Sequence, residues 1–287
     1  MSLLTGKRIV ISGLLDEQSI AHAVAASVQR HGADVILTNV PGHRFAMMRR
    51  AAKSLPAPPV AMIPADFGSA ADLDRFSTDV AGHWDHVDGV LHSVAHAPRG
   101  ALDSFLDTSW DDAARALHVS AFSLKDLVRA LHPLLTRAPG GASVVSLDFD
   151  GTQAWPGYNW MGVSKSALEA ISRYLARELG PDNIRVNTVA AGPVHSRAAG
   201  GVPSFTDFER EWSARAPLSW DADDADAVAG PVTFLFSALA QAVTGTVLHA
   251  DGGFHAMGMA GPQPLEAVAE SAVQAVAEGQ GAAVVLH

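Results

Sequence analysis

The sequence contains no cysteine among its 287 residues. This excludes disulfides, thiolate nucleophiles and cysteine-ligated zinc, and leaves no trace of an oxidising compartment. Charged residues make up only 17% of the chain, and acids outnumber bases 30 to 20, for a formal net charge of −10. Phosphate polymers and anionic lipid surfaces are repelled by that balance, so the expected partner is a small or carrier-borne molecule, with no nucleic acid and no membrane. No apolar run approaches the roughly 18 residues that a membrane span needs. Met1 to Gly6 lead directly into Lys7-Arg8-Ile9-Val10-Ile11-Ser12, without the basic and apolar regions of a secretion signal. A cytoplasmic protein is expected. The 13 histidines make no HExxH or other close ligand pair, so no metal site is expected.

What is present is enough apolar residue, 48%, to bury one large core. Short β-branched runs alternate with longer Ala-rich amphipathic stretches, the pattern of βαβ units on a parallel sheet. Seven strands are expected, at Arg8 to Ser12, Asp34 to Thr38, Val60 to Ile63, Val87 to Val94, Ser143 to Leu147, Arg185 to Val189 and Thr246 to Ala250. Helical spacing of apolar residues marks Ser19 to His31, closed by Gly32, and Ser164 to Leu179, closed by Gly180-Pro181. The expected fold class is α/β: a single Rossmann-like, doubly wound domain over residues 1–260, with helices on both faces. The segment 194–215, with Gly200-Gly201, Pro203 and several aromatics, reads as a flap at the carboxyl edge of the sheet. Residues 261–287 form a C-terminal extension, open between a disordered end and an amphipathic helix over Leu265 to Glu278.

After the first strand comes Ser12-Gly13-Leu14-Leu15-Asp16-Glu17-Gln18-Ser19-Ile20-Ala21, entering a helix. A glycine there lets backbone amides approach a pyrophosphate at a helix N-terminus, but the full GxGxxG fingerprint is absent. An ordinary turn with Ser19 as N-cap is an equal reading. Asp66-Phe67 follows the third strand and His92-Ser93-Val94-Ala95 ends the fourth, where an open parallel sheet binds adenine and ribose. Helix capping by Asp66 and plain packing by Ala95 are the bland alternatives. Tyr158 and Lys165, two helical turns apart, lie on nearly one face and about 10 Å apart along the axis. A phenol beside an ammonium can stabilise a carbonyl oxygen that gains charge.

Taken in order, these elements resemble the short-chain dehydrogenase/reductase superfamily, and within it the enoyl-acyl carrier protein reductases of the mycobacterial type. The resemblance spans about residues 3–256. It rests on Ser12-Gly13 with Ser19-Ile20-Ala21, Asp66, His92-Ser93, His118-Val119-Ser120-Ala121, Asp148-Phe149-Asp150, Tyr158-Asn159-Trp160-Met161, Lys165-Ser166-Ala167-Leu168-Glu169, Ala190-Ala191-Gly192-Pro193 and Ala250-Asp251-Gly252-Gly253. Ketoreductases of the superfamily use Tyr-x3-Lys with a serine thirteen residues before the tyrosine. Here Gly162 and Val145 stand at those places, and the six-residue gap is that of the enoyl reductases.

The resemblance implies NADH-dependent reduction of the 2,3 double bond of a trans-2-enoyl thioester, on acyl carrier protein or CoA, in fatty acid synthesis. It implies Tyr158 at the thioester oxygen, Lys165 on the nicotinamide ribose and Phe149 as a wall for the ring and substrate. Cofactor contacts are implied at Gly13, Ser19, Ile20, Val40, Asp66, Phe67, Ser93, Val94, Ala95, Val119, Asp148, Lys165, Ala191, Gly192, Pro193, Val194 and Ser196. Substrate contacts are implied at Tyr158, Met161, Phe205, Phe208 and Trp212; for those last three rings, packing of a helix into the core is as good a reading. The segment Thr38-Asn39-Val40-Pro41-Gly42-His43-Arg44 lacks the acid that usually binds an adenosine 2′-hydroxyl, and His43 or Arg44 offers an NADPH alternative. Ala95 and Gly162 depart from the common pattern without removing a reacting group. By analogy the chain is expected to form a homotetramer through Asp111 to Leu135 and Ser164 to Leu179. Carbonyl reduction, a secondary-pathway reductase, and a non-catalytic dinucleotide-binding regulator are the competing functions.

Overall fold

A computed structural model describes residues 2–197 and 199–259. The extension 261–287, with its helix reading over Leu265 to Glu278, lies outside the described residues. The elements run β1 (Arg8–Ser12), α1 (Ile20–Arg30), β2 (Asp34–Asn39), α2 (His43–Ala51), β3 (Ala61–Pro64), α3 (Ala70–His83), β4 (Gly89–His92), α4 (Gly100–Asp103), α5 (Trp110–Leu117), α6 (Ser123–Leu135), β5 (Ala142–Asp148), α7 (Asn159–Leu179), β6 (Ile184–Ala191), α8 (Phe205–Arg215), α9 (Asp226–Phe236) and β7 (Val247–Ala250). The strands form one parallel sheet in the order β3-β2-β1-β4-β5-β6-β7. All seven expected strands form; β4 is shorter than expected because its neighbours pair with it only from Gly89 to His92.

The strands are buried on both faces, which is why they read as apolar runs rather than as alternating ones. Successive residues nonetheless serve different layers. Ile9, Ile11, Val35, Leu37, Leu91, Val145 and Val189 meet α1, α2 and α9, whereas Val10, Ile36, Val90, Val144 and Val186 meet α3, α6 and α7. Chain order reverses between β1 and β4, and that switch point opens a crevice at the carboxyl ends of the strands.

The stretch Asp111 to Leu135, named above for the tetramer interface, holds most of α5 and all of α6, divided by one π-helical turn, His118–Phe122. An i→i+5 turn leaves no periodic signature in sequence, and such turns cluster at functional sites. No helix among the described residues is long and apolar enough to cross a membrane.

Candidate active site

The crevice at the switch point is built by backbone first. Ser12 Oγ donates to the Leu91 carbonyl at 2.8 Å and accepts from the Ser93 amide at 3.2 Å, stitching the ends of β1 and β4 together. Gly13 follows at φ +80°, and a Cβ there would lie 1.8 Å from the Ser93 carbonyl oxygen. Only glycine lets the two strand ends approach so closely.

Ser19 occupies the N-cap of α1, but its hydroxyl donates to the Asp16 carbonyl at 2.6 Å instead of accepting from the helix. The first amides of α1 therefore keep no side-chain partner and, with Ser19 and Ile20, border the crevice. That arrangement suits an anion. Across the mouth, Arg197 Nε pairs with Asp16 Oδ2 at 2.9 Å.

The cleft has a volume of about 570 Å³. It gathers Gly13, Ser19, Ile20, Ser93, Val94, Ala95, Asp148, Lys165, Ala191, Gly192, Pro193, Val194 and Ser196 with Phe149, Tyr158, Met161, Phe205 and Phe208. Five residues named from sequence lie off its wall. The Val40 amide donates to the Asn39 side-chain oxygen, and Asp66 is exposed, its carboxylate accepting from the Gly68 amide at 2.8 Å. Ser69, not Asp66, caps α3. Phe67 is buried in the core against Phe76, Val119 sits in the π-helical turn, and Trp212 is buried behind Phe149. Motif reading passed over Asn39, His96, Leu102 and Arg197, which also line the cleft. Asn39 ends β2, and His96 and Arg197 lie in the loops that follow β4 and β6, which is the one signal that points to them; Leu102, in α4, has none.

Asn39 spends its carboxamide locally, donating to the Leu14 carbonyl at 2.8 Å and accepting from the Val40 amide. The π-helical turn contributes by holding the loop after β4, since Ser120 Oγ bonds both the amide and the carbonyl of His96 at 3.0 Å. On the opposite wall Gly192 donates to the Ala250 carbonyl, and Trp220 Nε1 donates to the Pro193 carbonyl at 2.7 Å. A Cβ on Gly192 would strike the Trp220 and Trp212 rings.

Tyr158 immediately precedes α7, and Lys165 lies two turns in, so both side chains face the cleft. Lys165 Nζ donates to the Leu147 carbonyl at 2.9 Å and lies 3.7 Å from Asp148 Oδ1. Burial, and then the charge of Asp148, push the Tyr158 phenol up, so it remains a hydrogen-bond donor across the working pH range. Burial lowers Lys165 against the opposing pull of Asp148. His92 is pushed down to about 3, mainly by burial and then by Lys165, so it is a neutral neighbour bonded to Ser123. Ser146 spends its hydroxyl inside the sheet on Thr188 at 3.0 Å, and Val145 is wholly buried. No second hydroxyl from β5 accompanies the tyrosine.

Asp148 is held up to about 8, by burial first, with Glu169 adding to the shift and Lys165 opposing it. Both its carboxyl oxygens are buried without a hydrogen-bond partner. The unfolded carboxyl ionises near 3.9, so between about 4 and about 8 the folded chain retains a proton that the unfolded chain has lost. Stability from this group thus declines as pH rises through that window and levels off above it. Asp148→Asn, which cannot ionise, is expected to gain stability relative to the parent across the same window. Urea midpoints at pH 5 and pH 8 check this; an equal difference at both values would refute the assignment.

Residues 13–255 match the family model described as enoyl-(acyl carrier protein) reductase. The chain belongs to that family. The NADH-named enoyl-acyl carrier protein reductase of Mycolicibacterium smegmatis is 37% identical over 267 residues, covering 88% of this chain and 97% of that protein. The protein of the same name from Mycobacterium avium is 38% identical over the same shares of each chain. One from Bacillus cereus is 35% identical over 260 residues, 90% of this chain and 100% of that protein. Membership in the enoyl reductase family accords with the seven-position spacing of Tyr158 and Lys165 and with the absence of a serine at Val145.

Proposed function

We propose that this enzyme reduces the 2,3 double bond of a trans-2-enoyl thioester with NADH, as a cytoplasmic step of fatty acid synthesis on acyl carrier protein. The carrying observation is the buried pair of Tyr158, kept protonated, and Lys165, anchored on Leu147 and beside Asp148, at the end of a cleft of dinucleotide type.

The residues present fit the dinucleotide. Gly13 and the α1 amides would take the pyrophosphate, with Ser196 nearby; Ser93, Val94 and Ala95 would border the adenosine side. Lys165 would hold the nicotinamide ribose, and the backbone of Ala191 to Val194 would hold the carboxamide. Bound NADH supplies a hydride to the β-carbon of the enoyl group. Tyr158 donates a hydrogen bond to the thioester oxygen, and that bond strengthens as the oxygen takes on enolate charge before the α-carbon is protonated. Lys165 favours the same charge through space, and Phe149 holds the reacting plane against the cofactor. NADH is favoured over NADPH by the relatives' printed names.

A homotetramer is part of this reading. Exposed Trp110 on α5, Phe122 in the π-helical turn and Tyr174 on α7 supply apolar surface on the helices concerned.

Following NADH oxidation against enoyl and β-ketoacyl thioesters separates the functions. Turnover confined to the enoyl compounds is expected. Turnover confined to ketones would replace this reading with carbonyl reduction, and NADH binding without turnover would indicate a regulator.

A further inference from the structure

The wall of the cleft beyond Tyr158 is made of stacked rings several layers deep. Phe149 and Phe208 form its surface, with ring centroids 5.4 Å apart. Behind them Trp155 lies 5.0 Å from Phe149 and 5.3 Å from Trp212, and Trp212 stacks on Phe254 at 3.7 Å.

These rings have little freedom to withdraw. Trp155 Nε1 donates to the Asp150 carbonyl at 2.7 Å, which fixes the plane of its indole. The loop carrying it is seated against the start of α8, where a Cβ on Gly157 would lie 2.4 Å from Ser204 Oγ. Trp212 is closed in on its other side by Gly192 and Trp220. Phe208, Trp212 and Phe254 are buried, and Phe149 and Trp155 are half-buried against them; close packing of this kind resists displacement of a whole ring.

A second cleft of about 890 Å³ adjoins the first and shares Phe205 with it. Its lining mixes Leu15, Met47 and Phe205 with Asp16, Glu17, Arg50 and Arg197, and an acyl tail laid there would desolvate those charged groups without compensating them. In the first cleft Tyr158 lies between the residues assigned to the dinucleotide and the rings Phe149 and Phe208, so an acyl group held at Tyr158 meets those rings.

We infer that the enzyme selects short-chain enoyl thioesters, and that Trp155 is the specificity-determining residue that sets the limit. This rests on the enoyl reductase reading. Trp155 acts through Phe149: it blocks the space into which that ring would otherwise swing to let a longer chain pass.

The test is the ratio of kcat/KM for trans-2-butenoyl and trans-2-hexadecenoyl thioesters, measured with NADH for the parent enzyme and Trp155→Ala. The parent is expected to favour the butenoyl compound by at least about tenfold, and the variant to shift the ratio towards the longer chain by a similar factor. A purely structural role would lower both values alike and leave the ratio unmoved, which would overturn the assignment to Trp155. A flat parent profile, or one that rises with length, would overturn the short-chain inference while leaving enoyl reduction intact. Absence of turnover on every enoyl thioester would instead defeat the underlying reading, and this inference with it. If Trp155→Ala does not fold, Trp155→Leu keeps an apolar filler and is judged by the same ratio.

Discussion

Lys165→Ala is expected to lower kcat/KM for an enoyl thioester by about a thousandfold and to weaken NADH binding, whereas Tyr158→Phe is expected to lower kcat by about a hundredfold with NADH affinity kept within about twofold. The difference follows from their surroundings. Tyr158 is a buried phenol whose ring packs on Phe149, and the Phe substitution keeps that packing while deleting the donor. Lys165 does more, because its ammonium bonds the Leu147 carbonyl and is the cation beside the buried carboxyl of Asp148. Its loss removes an expected ribose contact and leaves Asp148 without that cation. Steady-state kinetics with calorimetric titration of NADH distinguish the two variants. Unchanged kinetics in both would end the catalytic assignment.

The second large effect is expected at Gly13. An alanine there must adopt φ +80° and place its methyl 1.8 Å from the Ser93 carbonyl oxygen. Left-handed backbone costs an L-residue about 1–2 kcal/mol, and overpacking adds about 1–3 kcal/mol. Gly13→Ala should therefore lose about 3 kcal/mol of stability and its calorimetric NADH binding together. Normal NADH affinity in this variant would show that the close approach of β1 and β4 is not needed to form the cofactor site.

Much of this arrangement was legible beforehand because it depends on local rules. The apolar runs announced all seven strands, and Gly32, at φ +91°, ends α1 as its sequence position indicated. Tyr158 and Lys165 were legible as a pair because a helix converts their spacing into a shared face. Other features required partners distant in sequence. Nothing local distinguishes Phe67, which turns into the core, from its neighbours at the strand ends. Trp155 acquires its place only when its loop meets α8 and Phe254, about a hundred residues further on. The π-helical turn at His118–Phe122 has no periodic trace.

The sequence by itself determined the class of fold, the order of its elements and the spacing that puts Tyr158 and Lys165 on one side of α7, since periodicity, turn chemistry and spacing act over a few residues at a time. The tertiary structure decided the environment of that pair. Burial keeps Tyr158 a donor and holds the proton on Asp148, and converging segments after β5, in α8 and after β7 build the ring wall beside it. Desolvation and volume are properties of surfaces brought together across the fold, and they have no counterpart in any local stretch of the chain.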